Sequence, residues 1–444
     1  MTAFLLLGFR QDAAVPGTWG STWALLLMVA CGAVWVLTAL ARRTAPTALD
    51  GAWVLAASFW GASLLSYGWA FRTGLPPGAE PSDMDASVLL QLITLLFFGF
   101  LLARVSTLRS AELVLRGLVA GATLSATYAL VDLATAVDFG AIVRLPLTRA
   151  SGDVLVDNLM RAGMLRAQGA AGHPLELATV AALTAPLAVG MAFAERTRGR
   201  RWWPWALSAV ILLAAALTSL ARSALISCVL AFLVMAAHWT GRRIAATLGG
   251  ALVALLAVAA ARPSVYVAFA QVFLASGQDD SLYSREFGRD YALELAAGHP
   301  ILGIGTAAYS VPFHPVLDNQ YLSRLVEGGA LGLVTFVALL VAAGVQALRA
   351  ARRFGHLGAG AGREIAVGLA GAMTALLVSN AVLDTSGFRQ AWTVTWFLLA
   401  LCWGVSRAAC SSAVGVADAA HAPDPARVAT AGPARSAATG ADAS

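Results

Sequence analysis

Long apolar stretches, separated by short polar or arginine-containing segments, follow one another along most of the chain. A membrane-spanning helix needs about 20 mostly apolar residues, and eleven stretches meet this requirement. They are predicted near residues 18–41, 50–71, 86–104, 111–134, 175–194, 203–220, 223–240, 243–261, 329–349, 365–383 and 391–408. Residues 1–10 are a twelfth, partial candidate. The pattern predicts an all-α, polytopic integral membrane bundle with about 11–12 transmembrane helices.

Composition supports this fold class and disfavours several others. Of the 444 residues, 59% are hydrophobic and 12% are charged, whereas a soluble domain carries about 25% charged residues. So few charges cannot cover a soluble body of this size, which argues against a cytosolic enzyme, a secreted domain, a coiled coil or a disordered scaffold. The four cysteines form no CxxC pair, and they indicate neither a disulfide framework nor zinc.

The basic charge comes from arginine alone, and it predicts how the chain crosses the membrane. Arginines recur at alternate ends of successive spans, at 42–43, 104 and 109, 196–201, 242–243, 349–353 and 363. The positive-inside rule places these ends in the cytoplasm, so this charge points to the lipid bilayer as the partner and not to nucleic acid. Residues 1–410 are predicted to form the transmembrane domain, and residues 411–444, rich in Ala, Pro and Gly, a disordered cytoplasmic tail.

The opposite ends of the spans carry the long loops. Residues 262–328 form the longest one, between spans 8 and 9, and residues 138–174 form another. Loops of this length are usually functional or disordered. The aromatic content of residues 262–328 favours a folded outer loop, in which residues 284–297 are predicted to form an amphipathic helix.

Two arginines of this predicted helix share one face. Arg285 and Arg289 are four residues apart, and like charges at that spacing cost about 0.2–0.5 kcal/mol. An anion is therefore expected over them. One interpretation is a carboxylate, from Glu286, Asp290 or another loop. The other is a phosphate or diphosphate ligand, whose oxygens match the planar guanidinium.

Arg222 lies in a tight break between two apolar stretches on the predicted outer side. A single arginine at membrane depth is costly and usually marks a functional site. The alternative is that its side chain reaches the outer headgroups.

Several polar residues in the outer turns allow two interpretations each. Asp318 precedes a helical run, so it is a candidate for the N-cap of that helix and for a catalytic carboxylate. His173 is either a turn histidine or a contact to phosphate or sugar. The pair at 279–280 is acidic, but no further ligand is spaced to complete a metal site, and neither a metal nor a cofactor is predicted.

Four segments occur in a fixed order between residues 165 and 335. They are Gln168-Gly-Ala-Ala-Gly-His173-Pro174, Thr218-Ser-Leu-Ala-Arg222-Ser, Arg285 through Gly298-His299-Pro300-Ile-Leu-Gly303-Ile-Gly305, and Asp318-Asn319-Gln-Tyr321-Leu322 with Glu327, Gly329 and Gly332. In these segments, their order and their outward placement, the chain resembles the O-antigen ligase and O-antigen polymerase family of bacterial membrane glycosyltransferases.

This resemblance implies an all-helical bundle with short helices in a large outer loop. It implies transfer of a glycan from an undecaprenyl-diphosphate carrier to an acceptor sugar hydroxyl, on the outer face of the bacterial cytoplasmic membrane. Ligases use a lipid A–core sugar as acceptor, and polymerases use the growing end of another carrier-linked glycan. The family's ligases typically have histidine where this chain has Asp318. That departure favours the polymerase branch, or a ligase with another acceptor.

The chemistry of such a transfer suggests roles for the candidate residues. A lipid diphosphate leaves as a stable anion, so cations can replace the carboxylic acid that glycosidases use. Arg222, Arg285 and Arg289 are predicted to stabilise that anion, and Asp318 or His314 to act as the general base in a metal-independent inverting displacement. The remaining predicted substrate-site residues are Arg166, His173, Asn319, Tyr321, Glu327 and Asp384. Of these, Glu327 and Asp384 are expected to orient an arginine.

A lipid-linked glycan flippase or a secondary transporter is the alternative function. Such proteins place ionisable residues and broken helices near the bilayer midplane, often with a repeat between the two halves. Here the predicted span centres are nearly free of charge and no repeat is visible, so transfer is favoured over transport.

Overall fold

The structure, a computed structural model, describes residues 1–11, 13–15, 21–42, 51–135, 137–143, 145–150, 160–161, 164–267, 280–311 and 313–421. Its main elements are helices. They are α1 (Thr2–Gly8), α2 (Trp23–Arg42), α3 (Gly51–Thr73), α4 (Pro81–Arg104), α5 (Leu108–Thr135), α6 (Phe139–Ile142), α7 (Pro174–Thr197), α8 (Trp203–Thr218), α9 (Arg222–Ala236), α10 (Gly241–Ala261), α11 (Asp280–Gly298), α12 (Gln320–His356), α13 (Gly360–Asn380) and α14 (Arg389–His421). Two antiparallel pairs of two-residue strands join β1 (Ala13–Ala14) to β2 (Arg149–Ala150) and β3 (Met160–Arg161) to β4 (Met164–Leu165).

Each of the eleven predicted spans coincides with a helix, and α1 is the partial element predicted at residues 1–10. Nine helices in the described ranges are long and apolar enough to cross a membrane, and α8 and α9 are shorter. The predicted helix at 284–297 is α11, which begins at Asp280. These findings confirm the all-helical, polytopic membrane bundle.

Several predictions fall partly beyond the described residues, including the outer loops at 138–174 and 262–328, which are described only in part. The tail was predicted from residue 411, but α14 continues to His421, and residues 422–444 lie outside the description. Asp279, the first member of the acidic pair, also lies outside it.

Contacts between arginines and neighbouring helices bring the predicted cytoplasmic helix ends together. They are Arg198–Glu112, Arg116–Glu195, Arg243–Glu364 and Arg353–Cys410. These pairs join α5, α7, α10, α12, α13 and α14 at one end of the bundle, which we call the arginine-rich end. The positive-inside rule predicts that this end faces the cytoplasm. The opposite end, where residues 165–173, 219–221, 299–311, 313–319 and 381–388 lie, is called the loop end.

The core of the bundle is built around α7, α13 and α14. The apolar windows of these helices are 89%, 72% and 83% buried, whereas those of α2 and α10 are 17% and 11% buried. Glycines let α7 and α13 approach closely: a Cβ on Gly190 would lie 2.8 Å from the carbonyl oxygen of Glu364, and one on Gly368 would lie 2.9 Å from that of Pro186. Close approach through small residues is how helices associate in lipid, where no hydrophobic driving force acts between them.

At the loop end, one carboxylate joins two helix starts. Glu176, which is 4% exposed, accepts hydrogen bonds from the backbone N–H of Gly172 at 2.8 Å and from that of Gln390 at 2.6 Å. A carboxylate at a helix N-terminus satisfies unpaired N–H groups and matches the helix dipole. The side chain of Gln390 then donates to the carbonyl oxygens of Leu6 and Ala170. This junction fixes α1, α7 and α14 relative to one another.

The glycine-containing turn at 299–305 packs against a break inside α12. Gly329 has φ 62° and ψ −164°, a conformation that essentially only glycine adopts. The break exposes backbone groups that the turn uses: Ile304 N–H donates to the carbonyl oxygen of Val326 at 2.9 Å, and Ala330 N–H donates to that of Pro300 at 2.8 Å. Backbone hydrogen bonds therefore join the third sequence segment, which ends at Gly305, to the fourth, which contains Gly329.

Candidate functional site

A short helical hairpin places Arg222 at the loop end. Trp202 before α8 and Trp239 after α9 line the same cavity near the arginine-rich end, so the two helices run antiparallel and turn at residues 219–221. At 1.5 Å per residue, α8 and α9 are only about 24 and 22 Å long, shorter than the roughly 30 Å hydrocarbon core. Arg222 is the first residue of α9, and the hairpin length favours a position below the headgroups.

The loop before α7 packs against this turn. Arg166 is 7% exposed, and its Nε donates to the carbonyl oxygen of Ser219 at 2.8 Å. Ser219 is the C-cap residue of α8, where a cation also matches the negative end of the helix dipole. Arg166, predicted as a substrate contact, therefore has a structural role in shaping the turn beside Arg222.

His173 is the N-cap of α7. Its Nδ1 accepts a hydrogen bond from Leu175 N–H at 3.1 Å, which is the turn role that the sequence allowed. Burial, and to a smaller extent the charge of Arg166, lower the pKa of His173 to about 4, and the charge of Asp318 opposes this shift. The ring is therefore neutral at pH 7. Because Nδ1 accepts, the proton lies on Nε2, so this ring can donate to a substrate oxygen.

The same pKa predicts how the stability of the protein depends on pH. The folded-state pKa of His173 is lowered from 6.5 to about 4, so the unfolded chain binds more protons between these values. Stability is therefore expected to fall as the pH drops from 6.5 towards 4. His173→Asn keeps an N-cap residue but does not titrate. We expect the wild type to lose about 1–2 kcal/mol more than this variant over the interval, after solvent screening of the ring is allowed for.

Thermal unfolding midpoints of the two detergent-solubilised proteins at pH 7 and pH 4.5 measure this difference. Equal losses in both proteins would show that the ring is not held neutral by its surroundings.

Helix α11 and the segment before α12 form the other half of the site. Arg285 Nε donates to Asp318 Oδ2 at 2.9 Å, and both side chains are about one-third exposed. Further along α11, a Cβ on Gly288 would lie 2.9 Å from the carbonyl oxygen of Val316, so the segment runs closely along the helix. This pair is the carboxylate from another loop that the sequence analysis considered for Arg285.

Arg289 is placed differently from Arg285. Its guanidinium lies 2.9 Å from Asp290 Oδ1 and 3.6 Å from Glu286 Oε1, and it is exposed. Its neutralisation by residues of its own helix corresponds to the carboxylate alternative of the sequence analysis. Among the described residues, the ion pairs of Arg289 are with Glu286 and Asp290 and not with Asp318.

His314 is enclosed by two tyrosines. Its Nδ1 lies 2.9 Å from the hydroxyl of Tyr291, and its ring centroid lies 4.6 Å from that of Tyr309. Burial lowers the pKa of His314, and its Nε2 is buried without a hydrogen-bond partner among the described residues. Base function through Nε2 requires the tautomer in which Nδ1–H donates to Tyr291.

The start of α12 corrects one interpretation. Asn319, and not Asp318, is the N-cap of this helix, because its Oδ1 accepts hydrogen bonds from Tyr321 N–H at 2.9 Å and Leu322 N–H at 3.1 Å. The N-cap interpretation of Asp318 is therefore wrong, and its carboxylate pairs with Arg285 instead. The hydroxyl of Tyr321 donates to the carbonyl oxygen of Leu377 at 2.9 Å, which ties α12 to α13.

Glu327 and Asp384 surround an arginine that the sequence analysis did not select. Arg324 is 8% exposed, its Nη2 lies 3.6 Å from Glu327 Oε2, and it donates to Ser386 Oγ at 2.9 Å. Ser386 Oγ in turn donates to Asp384 Oδ1 at 2.8 Å. Both acids were predicted to orient an arginine. A charged residue at the entrance of a span indicates a functional site, and this signal could have identified Arg324 in the sequence.

These contacts form one connected region at the loop end. Ala221, next to Arg222, belongs to an apolar cluster that Leu175 at the start of α7 packs against. The charges of Arg166 and Asp318 both act on His173, which precedes this helix. The link from Arg222 to Arg285 therefore runs through the start of α7 and the Arg285–Asp318 pair. The described residues contain no group of three His, Cys, Asp or Glu side chains that could hold a metal ion.

A model of a family described as O-antigen ligase matches residues 207–337, which begins in α8 and ends in α12. This interval includes Arg222, Arg285, Asp318 and the break at Gly329. The match supports the resemblance that the four sequence segments indicated. No curated protein matches the chain.

Proposed function

We propose that this protein transfers a glycan from an undecaprenyl-diphosphate carrier to an acceptor sugar hydroxyl, because residues 207–337 match a model of the O-antigen ligase family. The reaction takes place at the loop end, on the outer face of the bacterial cytoplasmic membrane. The acceptor is a growing carrier-linked glycan or a lipid A–core-like sugar. A flippase or transporter remains the second candidate.

The Arg285–Asp318 pair is the observation that carries this proposal. It places a cation for an anionic leaving group beside a carboxylate that can accept a proton, in a partly exposed position. In the structure the two charges neutralise each other. A diphosphate offers Arg285 several oxygens in a geometry that suits its planar fork, so donor binding frees the carboxylate of Asp318 for the acceptor.

The proposed reaction is a single displacement. The acceptor oxygen forms a bond to the anomeric carbon, the bond from that carbon to the phosphate oxygen breaks, and its electron pair leaves with the diphosphate. Arg285 and Arg222 stabilise the charge that grows on the leaving oxygen. The N-terminus of α9, where Arg222 lies, adds backbone N–H groups and a positive dipole end. His173 donates through Nε2 to a diphosphate or sugar oxygen.

Asp318 is the preferred base. Its carboxylate is partly exposed and contacts the arginine that binds the leaving group, whereas His314 Nε2 is buried between tyrosines. The acceptor proton passes to Asp318 as the new glycosidic bond forms. Arg324, held by Glu327 and Ser386, acts as a positioning residue for the start of α12.

The test is the surface glycan of a deletion strain, run on a gel after complementation with wild type, Asp318→Asn or His314→Gln. Polymerase activity predicts loss of the ladder above one repeat unit, and ligase activity predicts an intact ladder left on the carrier. We expect wild type to restore the glycan, Asp318→Asn to fail, and His314→Gln to restore it in part. Carrier-linked units trapped inside the cell would instead support a flippase, and an unchanged glycan in the deletion strain would contradict both.

A further inference from the structure

An apolar cavity of about 390 Å³ lies in the half of the bundle nearer the arginine-rich end. Its walls come from α7, α8, α9 and α10. Helix α10 packs along α8 but hardly touches α9, although only the short turn at 237–240 joins α9 to α10. The cavity therefore opens sideways between α9 and α10, towards the region that lipid chains occupy.

The lining of the cavity is that of a hydrocarbon site. Val210, Leu213, Phe232 and Met235 are among its side chains. Its volume lies within the roughly 300–1,000 Å³ of typical ligand pockets. If a cavity of this size were empty, its wall atoms would lack dispersion contacts on one side. A lipid acyl chain from the surrounding bilayer can supply those contacts without desolvating any polar group.

The part of the cavity nearest the arginine-rich end is positively charged and aromatic. Arg196 and Trp202 both line the cavity, and the guanidinium of Arg196 lies 5.4 Å from the Trp202 ring centroid. The side chains of Arg200, Arg201 and Arg242 are exposed nearby in the chain. In the described ranges none of these four arginines forms an ion pair with a carboxylate, because the neighbouring acids are engaged by other arginines.

We propose that this cavity binds one anionic glycerophospholipid from the leaflet at the arginine-rich end. An acyl chain fills the space between α9 and α10, and the phosphate contacts Arg196. Basic pockets between transmembrane helices bind anionic headgroups by this chemistry, and tryptophan is the residue that membrane interfaces favour. The proposal goes beyond glycan transfer and does not depend on it, since the cavity and the Arg285–Asp318 pair lie on different helix segments.

Two neighbouring glycines provide a matched pair of variants. Gly250 lines the cavity, and a Cβ there would lie 3.9 Å from Val210 Cγ2, so a leucine at this position points into open space within the cavity. Gly249 is exposed, does not line the cavity, and a Cβ there would meet nothing within 4 Å. Gly250→Leu therefore fills the site, and Gly249→Leu makes the same chemical change outside it.

The experiment is lipid retention by the purified full chain in detergent, measured by native mass spectrometry with phosphatidylglycerol and phosphatidylcholine of equal chain length. We expect the wild type to prefer phosphatidylglycerol by about fivefold or more, from about 1 kcal/mol per arginine near the headgroup. Arg196→Gln should remove most of this preference while phosphatidylcholine still binds. Gly250→Leu should lower retention of both lipids at least fivefold, and Gly249→Leu should behave like the wild type.

Two results would overturn the proposal. One is equal retention of phosphatidylglycerol by Gly250→Leu and Gly249→Leu. The other is retention of undecaprenyl phosphate that phosphatidylglycerol does not displace, which would assign the cavity to the tail of the carrier. Either result leaves the proposed glycan transfer to be decided by the surface glycan gel alone.

Discussion

Arg285→Ala is expected to lower glycan transfer by about 10²–10³-fold. Removal of one donor that is aimed at developing negative charge typically has this effect, and Arg285 is the cation that contacts the proposed base. The variant also leaves Asp318 without its partner, so the carboxylate loses its fixed orientation. The measurement is the intensity of the surface glycan ladder in complemented deletion cells, normalised to the amount of protein in the membrane.

Two control variants separate charge, geometry and folding in this experiment. Arg285→Lys keeps the charge but loses the planar fork of donors, so we expect partial activity. Arg72→Ala removes an exposed arginine near the end of α3, and we expect wild-type activity. A wild-type ladder from Arg285→Ala at normal protein levels would remove this arginine from the mechanism.

Gly329→Ala is expected to cost about 3 kcal/mol or more of stability, and to lower the amount of folded protein in the membrane. A Cβ at this position would lie 2.3 Å from the carbonyl oxygen of Ile301 and 2.6 Å from Leu302 N. The backbone conformation itself disfavours any side chain, so local strain adds to the clash. Separation of the 299–305 turn from α12 would break the backbone hydrogen bonds that interlock them. Thermal unfolding in detergent, followed by size-exclusion chromatography, measures the effect.

The adjacent glycine provides the comparison. A Cβ on Gly328 would meet nothing within 4 Å, so Gly328→Ala should be neutral or stabilise the helix by up to about 1 kcal/mol. Equal unfolding midpoints for the two alanine variants would show that the turn does not depend on the break.

Hydropathy was sufficient to predict the helices of the bundle, because each span is a local property of about 20 residues. The amphipathic helix α11 was also predictable, since its polar and apolar positions recur along a single segment. The same local information could not distinguish Asp318 from Asn319 as the cap of α12. Both residues favour that position, and the extended backbone of Asn319 decides which side-chain oxygen reaches the helix N–H groups.

The site depends on pairings between distant parts of the sequence. Arg285 and Asp318 are 33 residues apart, and Arg324 and Ser386 are 62 residues apart. No periodicity identifies such partners, so the sequence does not single out Arg324, although it lies between Tyr321 and Glu327 of the fourth segment. The glycines of the 299–305 turn likewise give no sequence signal of their partner, because the break at Gly329 that they pack against lies in a different segment.

The short α8–α9 hairpin has a consequence for the membrane around it. Two helices of about 24 and 22 Å cannot match a hydrocarbon layer of roughly 30 Å, and a bilayer adjusts to such mismatch by thinning next to the protein. A dimple of this kind would lower the headgroup region towards Arg222 and let water follow it. The charged group of the proposed carrier would then contact Arg222 without entering the hydrocarbon layer. Lipids with longer tails would thicken that layer and weaken the contact.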